Sequence, residues 1–470
     1  MLCQAPAVKP KVRATPMTDS DSTACTDQDA VAVRRRGFTL ALVTNFAGKG
    51  ISTIVQLAAL PIAISALGQE KYGLYAMLAA LLNWMAIASV TITPGLTIQL
   101  IGARARSDRR DEGKAIGTGL LFSSLLAVLL FGAVQVAFHL IGLARMFGHV
   151  PTPVAPDLWR SLNLFSFFVL MNLVLSVAEG AQAGYQKQYL HNLFLTLGNV
   201  VTIVAVLTLV RAKPSIFNMI VAVYSGQLLA RALSFVQVLW SRPYLFSGMR
   251  GLDLSSIALM VRTGSAFLLT SIASFCYQSL TVYLVGRWGG PLFATQMSVF
   301  ITVLGALGST LMMFTQSLWP AVRDATVRAD FTWVSTAYLR TTKFLMIYVA
   351  LAAVTATVAG DRIIHLWVHT QLTVEGASRL FLGAYFLLLA WEQINYSFLI
   401  GIGCFWYAAG WYFLGSVMML VNSSWLLGRY GISGMLAAMC LGPLCFTAWT
   451  YPLRLRWLFS TRLHPSVRAT

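Results

Sequence analysis

The stretch TNFAGKGIST, residues 44–53, lies inside an apolar segment running from about 38 to 66, and its reading decides the class of this chain. Glycines 48 and 50 around Lys49 suggest a phosphate-cradling loop at first sight. That loop needs a glycine five residues before the Gly-Lys pair and Ser or Thr directly after the lysine. Those positions hold Val43 and Gly50. The alternative is a membrane span with a charge near its middle. At 1.5 Å per residue Lys49 lies about 18 Å along the helix from Gly37, too deep for its side chain to reach water comfortably.

The bulk composition agrees with a membrane span. The 470 residues are 57% hydrophobic and 11% charged, with mean hydropathy +0.71. Soluble domains carry about 25% charged residues. A net charge of +18 in such a chain sets topology and touches anionic headgroups rather than nucleic acid. The six cysteines form no CxxC pair, so neither a metal site nor a disulfide framework is read from them. RRRGFTLAL (34–42) brushes against a twin-arginine export signal, but more membrane follows where a soluble passenger should stand.

A crossing needs about 20 apolar residues. Twelve segments qualify, near 38–66, 73–99, 115–143, 158–183, 189–210, 215–240, 263–286, 291–319, 338–360, 378–400, 408–428 and 432–452. Arginine and lysine concentrate in alternate connections, as in Arg104, Arg106, Arg109, Arg110 and Lys114, or Arg323, Arg328, Arg340 and Lys343. The bias exceeds about two to one and assigns that side to the cytoplasm, with both termini inside. The expectation is an all-α integral membrane protein. Residues 1–33 form a disordered cytoplasmic tail, 34–240 a six-helix lobe, 241–262 a cytoplasmic connection, 263–453 a second six-helix lobe, and 454–470 a basic cytoplasmic tail. Every loop is too short for an enzyme domain, so function must reside in the bundle.

An internal echo supports two parallel lobes. ALGQEKYGLYAM (66–77) follows the first span and LVGRWGGPLFAT (284–295) the seventh, each stepping through two glycines into the next helix. Parallel repeats facing a shared cavity are a transporter architecture.

Polar residues recur at helical spacing within the spans. The stripes are Asn45, Lys49, Ser52, Thr53 and Gln56; Asn172, Ser176 and Glu179; Tyr224, Gln227, Arg231 and Ser234; Thr270, Ser274, Tyr277 and Thr281; and Tyr385, Glu392, Asn395 and Tyr396. Lipid satisfies none of these groups, so they should face a hydrated interior. Lys49 then lines the cavity or pairs with Glu392 or Glu179. Arg231 contacts substrate or holds a structural pair. Glu179, near the cytoplasmic end, suits a gate or ion pair. Asn45, Gln56, Gln227, Tyr277 and Glu392 complete the expected cavity lining. His365, His369 and Asp361 have a spacing that metal sites use, yet they stand at an interface beside Trp367, and no metal is expected.

Four stretches carry a resemblance: LPIAISALGQEKYGLYAML through PGLTIQLIGARARSD, EGAQAGYQKQYLHN, FTQSLWPAVRDA, and IIHLWVH. With the twelve-span layout they are similar to the Wzx-type polysaccharide flippases, the polysaccharide-transport branch of the multidrug/oligosaccharidyl-lipid/polysaccharide (MOP) exporter superfamily. The resemblance covers nearly all of 35–455. It implies a V-shaped pair of six-helix bundles in the bacterial inner membrane. By alternating access they would move undecaprenyl-pyrophosphate-linked oligosaccharide outward for O-antigen, capsule or exopolysaccharide synthesis. It further implies lipid-linked oligosaccharide, bilayer lipids, a polysaccharide polymerase and other assembly proteins as partners. No cofactor is implied, and H+ and Na+ are the coupling ions to consider. Lys49 and Arg231 would be counter-ions for the pyrophosphate. Members often carry an acidic residue shortly before the Gly-Leu of the second span. Here Thr93-Pro94-Gly95-Leu96 stands instead, so no acidic role is carried over. A MATE-like drug exporter or a lipid-II-type flippase are the alternatives. The first favours carboxylates in its amino-terminal lobe, and the second usually adds two helices beyond twelve.

Overall fold

The computed structural model describes residues 23–148, 154–245, 254–368 and 375–463. Every regular element among them is helical, because backbone in hydrocarbon must close its hydrogen bonds within the segment. The spans are α1 (Thr23–Leu67), α2 (Gln69–Arg104), α3 (Arg109–Ile141), α4 (Ala155–Gly184), α5 (Gln188–Val210) and α6 (Ile216–Ser241). They continue as α7 (254–289), α8 (Pro291–Val327), α9 (Phe331–Val368) and α10 (Gly376–Ile402). The run Phe405–Gly442 breaks at Gly431, whose φ of 60° and ψ of −141° are not helical, which gives α11 (405–430) and α12 (432–463). On length and composition alone ten runs among the described residues qualify as spans. In that set α11 and α12 are joined, and α10 is absent, diluted by Glu392, Gln393 and Asn395.

The helices run past the expected boundaries. Residues 23–33, assigned above to the tail, continue α1, 254–262 of the connection open α7, and 454–463 close α12. Alanine and arginine are good helix formers, and a helix need not stop where the hydrocarbon does. Residues 1–22, 246–253 and 464–470 of those expected segments lie outside the described residues.

The two lobes repeat one another. In the first, α1 packs on α5, α5 on α6, α6 on α4, and α4 on α2 and α3. In the second, α7 packs on α11, α11 on α12, α12 on α10, and α10 on α8 and α9. Details recur at equivalent places. Gly68 and Gly290 both precede a helix at positive φ, 78° and 93°, where only glycine is unstrained. Ser107 and Ala329 end the next helices at φ 55° and 60°. A Cβ on Gly184 would stand 2.8 Å from Leu100 Cβ, and one on Gly401 2.6 Å from Val322 Cγ1. Gly198 meets Gly226 where α5 crosses α6, as Gly415 meets Gly442 where α11 crosses α12. Small residues at these crossings let backbones approach within membrane bundles.

The lobes meet at two levels, one of them the end holding the α1–α2 and α7–α8 junctions. Gly73 lies against the Pro291 carbonyl, and Thr295 Oγ1 donates to Gln69 O at 2.6 Å. Tyr283 donates to Met146 O at 2.9 Å, Arg287 to Arg145 O at 3.0 Å, and Trp367 to Leu57 O at 2.8 Å. Farther down, α2 meets α7 at Gly95 and Met260, and Thr53 bonds Ser309 across α1 and α8 at 3.0 Å.

At the arginine-rich end a buried carboxylate ties the first lobe together. Glu112 Oε2 accepts from Tyr185 at 2.9 Å and Tyr244 at 2.6 Å, and the Arg242 guanidinium lies 3.5 Å over the Tyr185 ring. Burial and the Glu112 carboxylate hold the Tyr185 phenol above its ordinary range. Glu112→Ala strands both hydroxyls and should lower stability by about 1–3 kcal/mol. Glu112→Gln, whose amide oxygen still accepts, should lose less. Thermal unfolding in micelles measures both.

Candidate functional site

A cavity of about 420 Å³ lies between the lobes, beneath the end holding the α1–α2 and α7–α8 junctions. Ser52, Val55 and Gln56 of α1, Asn83 of α2, Asn199 of α5, Gln227 of α6, and Gln278 of α7 supply part of its wall. It has two arms of different chemistry.

The first-lobe arm, about 240 Å³, shares Ser52, Asn199 and Gln227 with the central cavity and adds Asn45, Lys49, Asn192 and Arg231. Helical spacing puts Asn45, Lys49 and Ser52 on one face of α1, and α5 and α6 close the arm from the other side. Gly48 lets α1 approach α5, since a Cβ there would stand 3.1 Å from Thr196 Oγ1. Arg231 Nη1 donates to Asn172 O at 2.7 Å, and Nη2 lies 4.0 Å from Glu179. His191, 2% exposed, presents Nε2 to the same carboxylate at 3.8 Å and faces Ser234 Oγ at 3.4 Å through Nδ1. Among the described residues Lys49 forms no ion pair. The pairing of Lys49 with Glu392 or Glu179 raised by the sequence is therefore not formed: Arg231 holds Glu179, and Glu392 faces the interior of the other lobe. By formal charge, Lys49 and Arg231 against the one carboxylate of Glu179 leave this arm one positive charge in excess.

The second-lobe arm, about 180 Å³, shares Gln278 and Ile301 with the central cavity. Three tyrosines stand in its otherwise mostly aliphatic wall. Tyr277 stacks between Tyr385 at 6.0 Å and Tyr412 at 5.7 Å. Tyr277 and Gln278 occupy a π-helical turn of α7, a local widening frequent at functional sites. Glu392 is buried behind this wall, among Tyr277, Tyr396, Tyr412 and Tyr451. One expected stripe resolves within its lobe instead of facing the cavity, while of the Thr270 stripe Ser274 and Tyr277 line the second-lobe arm. Asn172 and Ser176 are buried and donate to their own helix, and Thr270 bonds Tyr396 at 2.9 Å.

The structure thus gathers Lys49, Arg231, Asn45 and Gln227 in one arm, places Gln56 in the central cavity and Tyr277 in the other arm, and sets Glu179 beside Arg231. Glu392 stands apart. The sequence reading passed over α5, whose His191, Asn192, Thr196 and Asn199 follow the same spacing rule and were legible by it. No group of three metal-ligating side chains occurs among the described residues, and His369 lies outside them. None of the described residues lining the central cavity or its two arms is Asp or Glu. Glu179→Gln should release Arg231 and raise the arm's excess to two charges. A diphosphate probe should then bind about tenfold tighter, a gain of roughly 1.4 kcal/mol, read by titration calorimetry.

No protein-family model matches the chain, and no curated protein matches it either. Solved structures do. An inward-facing multidrug-resistance MATE family transporter of the MOP superfamily superposes with a TM-score of 0.72 at 14% identity, covering 90% of this chain and 99% of that one. An outward-facing MATE family transporter of the same superfamily gives 0.61 at 16% identity, covering 91% and 96%. A MOP superfamily transporter from Pyrococcus furiosus, for which reverse polarity of the binding pocket suggests a different function, gives 0.61 at 15% identity, covering 92% and 97%. The chain is a multi-pass membrane protein with the two-lobe fold of these transporters, and its structural neighbours are transporters rather than enzymes.

Proposed function

We propose that this protein flips a polyprenyl-diphosphate-linked oligosaccharide, of the undecaprenyl type, across the bacterial inner membrane by alternating access. The observation that carries the reading is Lys49, without an ion pair among the described residues, beside Arg231 in a polar arm open to the inter-lobe cavity. An anionic headgroup crossing hydrocarbon needs compensating charge along its route. The diphosphate lies in the cationic arm, the sugars extend through the amide-rich central cavity toward the second-lobe arm, and the lipid tail stays in the bilayer. By the positive-inside bias the arginine-rich end faces the cytoplasm, with both chain ends there. The end closed by Gly73 and Pro291 then faces the periplasm.

Fold by itself does not choose the substrate, and a MATE-like cation exporter uses the same architecture. Cation binding calls for carboxylates, which the described cavity-lining residues do not supply. The deciding experiment reconstitutes the purified protein in liposomes and follows the leaflet distribution of undecaprenyl-diphosphate oligosaccharide beside efflux of a cationic dye. Protein-dependent transfer of the lipid-linked sugar with no dye efflux supports the flippase. Dye efflux without lipid transfer assigns the protein to drug export.

A further inference from the structure

The second lobe carries a groove that the transport pathway does not use. It is a cavity of about 350 Å³ between α8, α9 and α10, away from the inter-lobe cavity. Its floor is a run of small residues on one face of α9, Ala352, Ala356 and Gly360, with aliphatic side chains on both flanks. The lining extends along α9 from Tyr348 to Ile364, about 24 Å at 1.5 Å per residue. A single leaflet's hydrocarbon is about 15 Å deep, so the groove accommodates an extended chain. Leu351 and Ile363 on its rim are 66% and 46% exposed, so the groove opens on the lipid-facing surface.

One charge stands in it. Arg379, in the opening turns of α10, lines the groove near its end, with its stem 3.9 Å from where a Cβ on Gly360 would be. Its Nε is buried without a hydrogen-bond partner, and among the described residues Arg379 forms no ion pair. The neighbouring segment 369–374 contains no Asp or Glu. A buried guanidinium N–H without an acceptor is costly, and a phosphate is the acceptor this planar donor set matches best.

We propose that this groove is a structural lipid site that binds one anionic glycerophospholipid, its phosphate on Arg379 and an acyl chain along the Ala352–Ala356–Gly360 trough. The inference is independent of the flippase reading, since it concerns the outer face of one lobe.

Native mass spectrometry of the detergent-purified protein, titrated with phosphatidylglycerol, tests it. Wild type should retain one phosphatidylglycerol. Arg379→Gln, which removes the charge, and Ala356→Trp, which fills the trough, should each weaken retention about tenfold. Both variants should elute monodisperse with unchanged unfolding temperature, and Arg379→Lys should restore part of the binding. Retention unchanged in Arg379→Gln and Ala356→Trp overturns the site. So does diacylglycerol retained as well as phosphatidylglycerol, which would mark a merely greasy surface. Preference for a polyprenyl phosphate overturns the assignment to a glycerophospholipid.

Discussion

Lys49→Ala should slow transfer of a lipid-linked diphosphate headgroup by roughly 30- to 1,000-fold, with Lys49→Arg retaining most of the rate. The estimate follows from losing one desolvated charge contact, about 2–4 kcal/mol. Apart from Arg231, the other described residues lining the cationic arm are neutral, so no second side chain replaces the lysine's charge. Arg231 is partly engaged by Glu179 at 4.0 Å and by the Asn172 carbonyl, which leaves Lys49 as the cation with no competing carboxylate. Arg231→Ala should therefore cost less than Lys49→Ala, and it should also leave Glu179 beside His191 without its guanidinium. The measurement is leaflet transfer in proteoliposomes at matched protein density. Wild-type rates in Lys49→Ala would assign the lysine to packing and remove the main support for the diphosphate reading.

Gly73→Val should disable transport by a different route, forcing the lobes apart at the end holding the α1–α2 and α7–α8 junctions. A Cβ at Gly73 overlaps the Pro291 carbonyl and comes within 2.8 Å of Pro291 Cα. Both are backbone, so no rotamer relieves the contact. The adjoining pair, Gly286 against Met77 and Ala294, is equally close-packed: a Cβ on Gly286 would stand 2.6 Å from Met77 Cγ and 2.7 Å from Ala294 Cβ. Overpacking of this kind costs about 3 kcal/mol or more when the backbone must move, enough to depopulate the closed end by more than about 100-fold. Spin labels at exposed positions 71 and 292 should report a longer distance, and lipid transfer should fall in parallel. Gly410→Val is the control, because no atom lies within 4 Å of a Cβ there. Unchanged distances in Gly73→Val would show that this contact does not close the transporter. The three atoms nearest that Cβ all belong to Pro291 of the other lobe, so the substitution acts first on the contact between lobes.

Both predictions lean on features that the sequence disclosed unequally. Lys49 announced itself, because a lysine about 18 Å inside an apolar helix has few places to go. Its neighbours Asn45, Gln227 and Arg231 followed from spacing. The partner of Glu179 did not, since spacing along one helix says nothing about which other helix lies opposite. His191 and Asn199 follow the same spacing rule on a helix that otherwise reads as strongly apolar. The contact of Gly73 with Pro291 has no sequence signal beyond a glycine near a helix start. The lobe repeat showed as a faint echo between 66–77 and 284–295, while the equivalence of Gly68 with Gly290 and the matching crossings of Gly198 with Gly226 and Gly415 with Gly442 emerged only in three dimensions.

The sequence by itself determined that this chain crosses a membrane about twelve times, in helices, with its arginines gathered at one end. Those properties depend on the solvent and on the local period, and water and hydrocarbon act on each residue separately. The tertiary structure decided which polar faces share a cavity, that Arg231 rather than Lys49 holds Glu179, and that Glu392 is walled off behind tyrosines. Such outcomes depend on how lobes and helices pack against one another, and close packing is a property of pairs of surfaces that no single stretch of sequence contains.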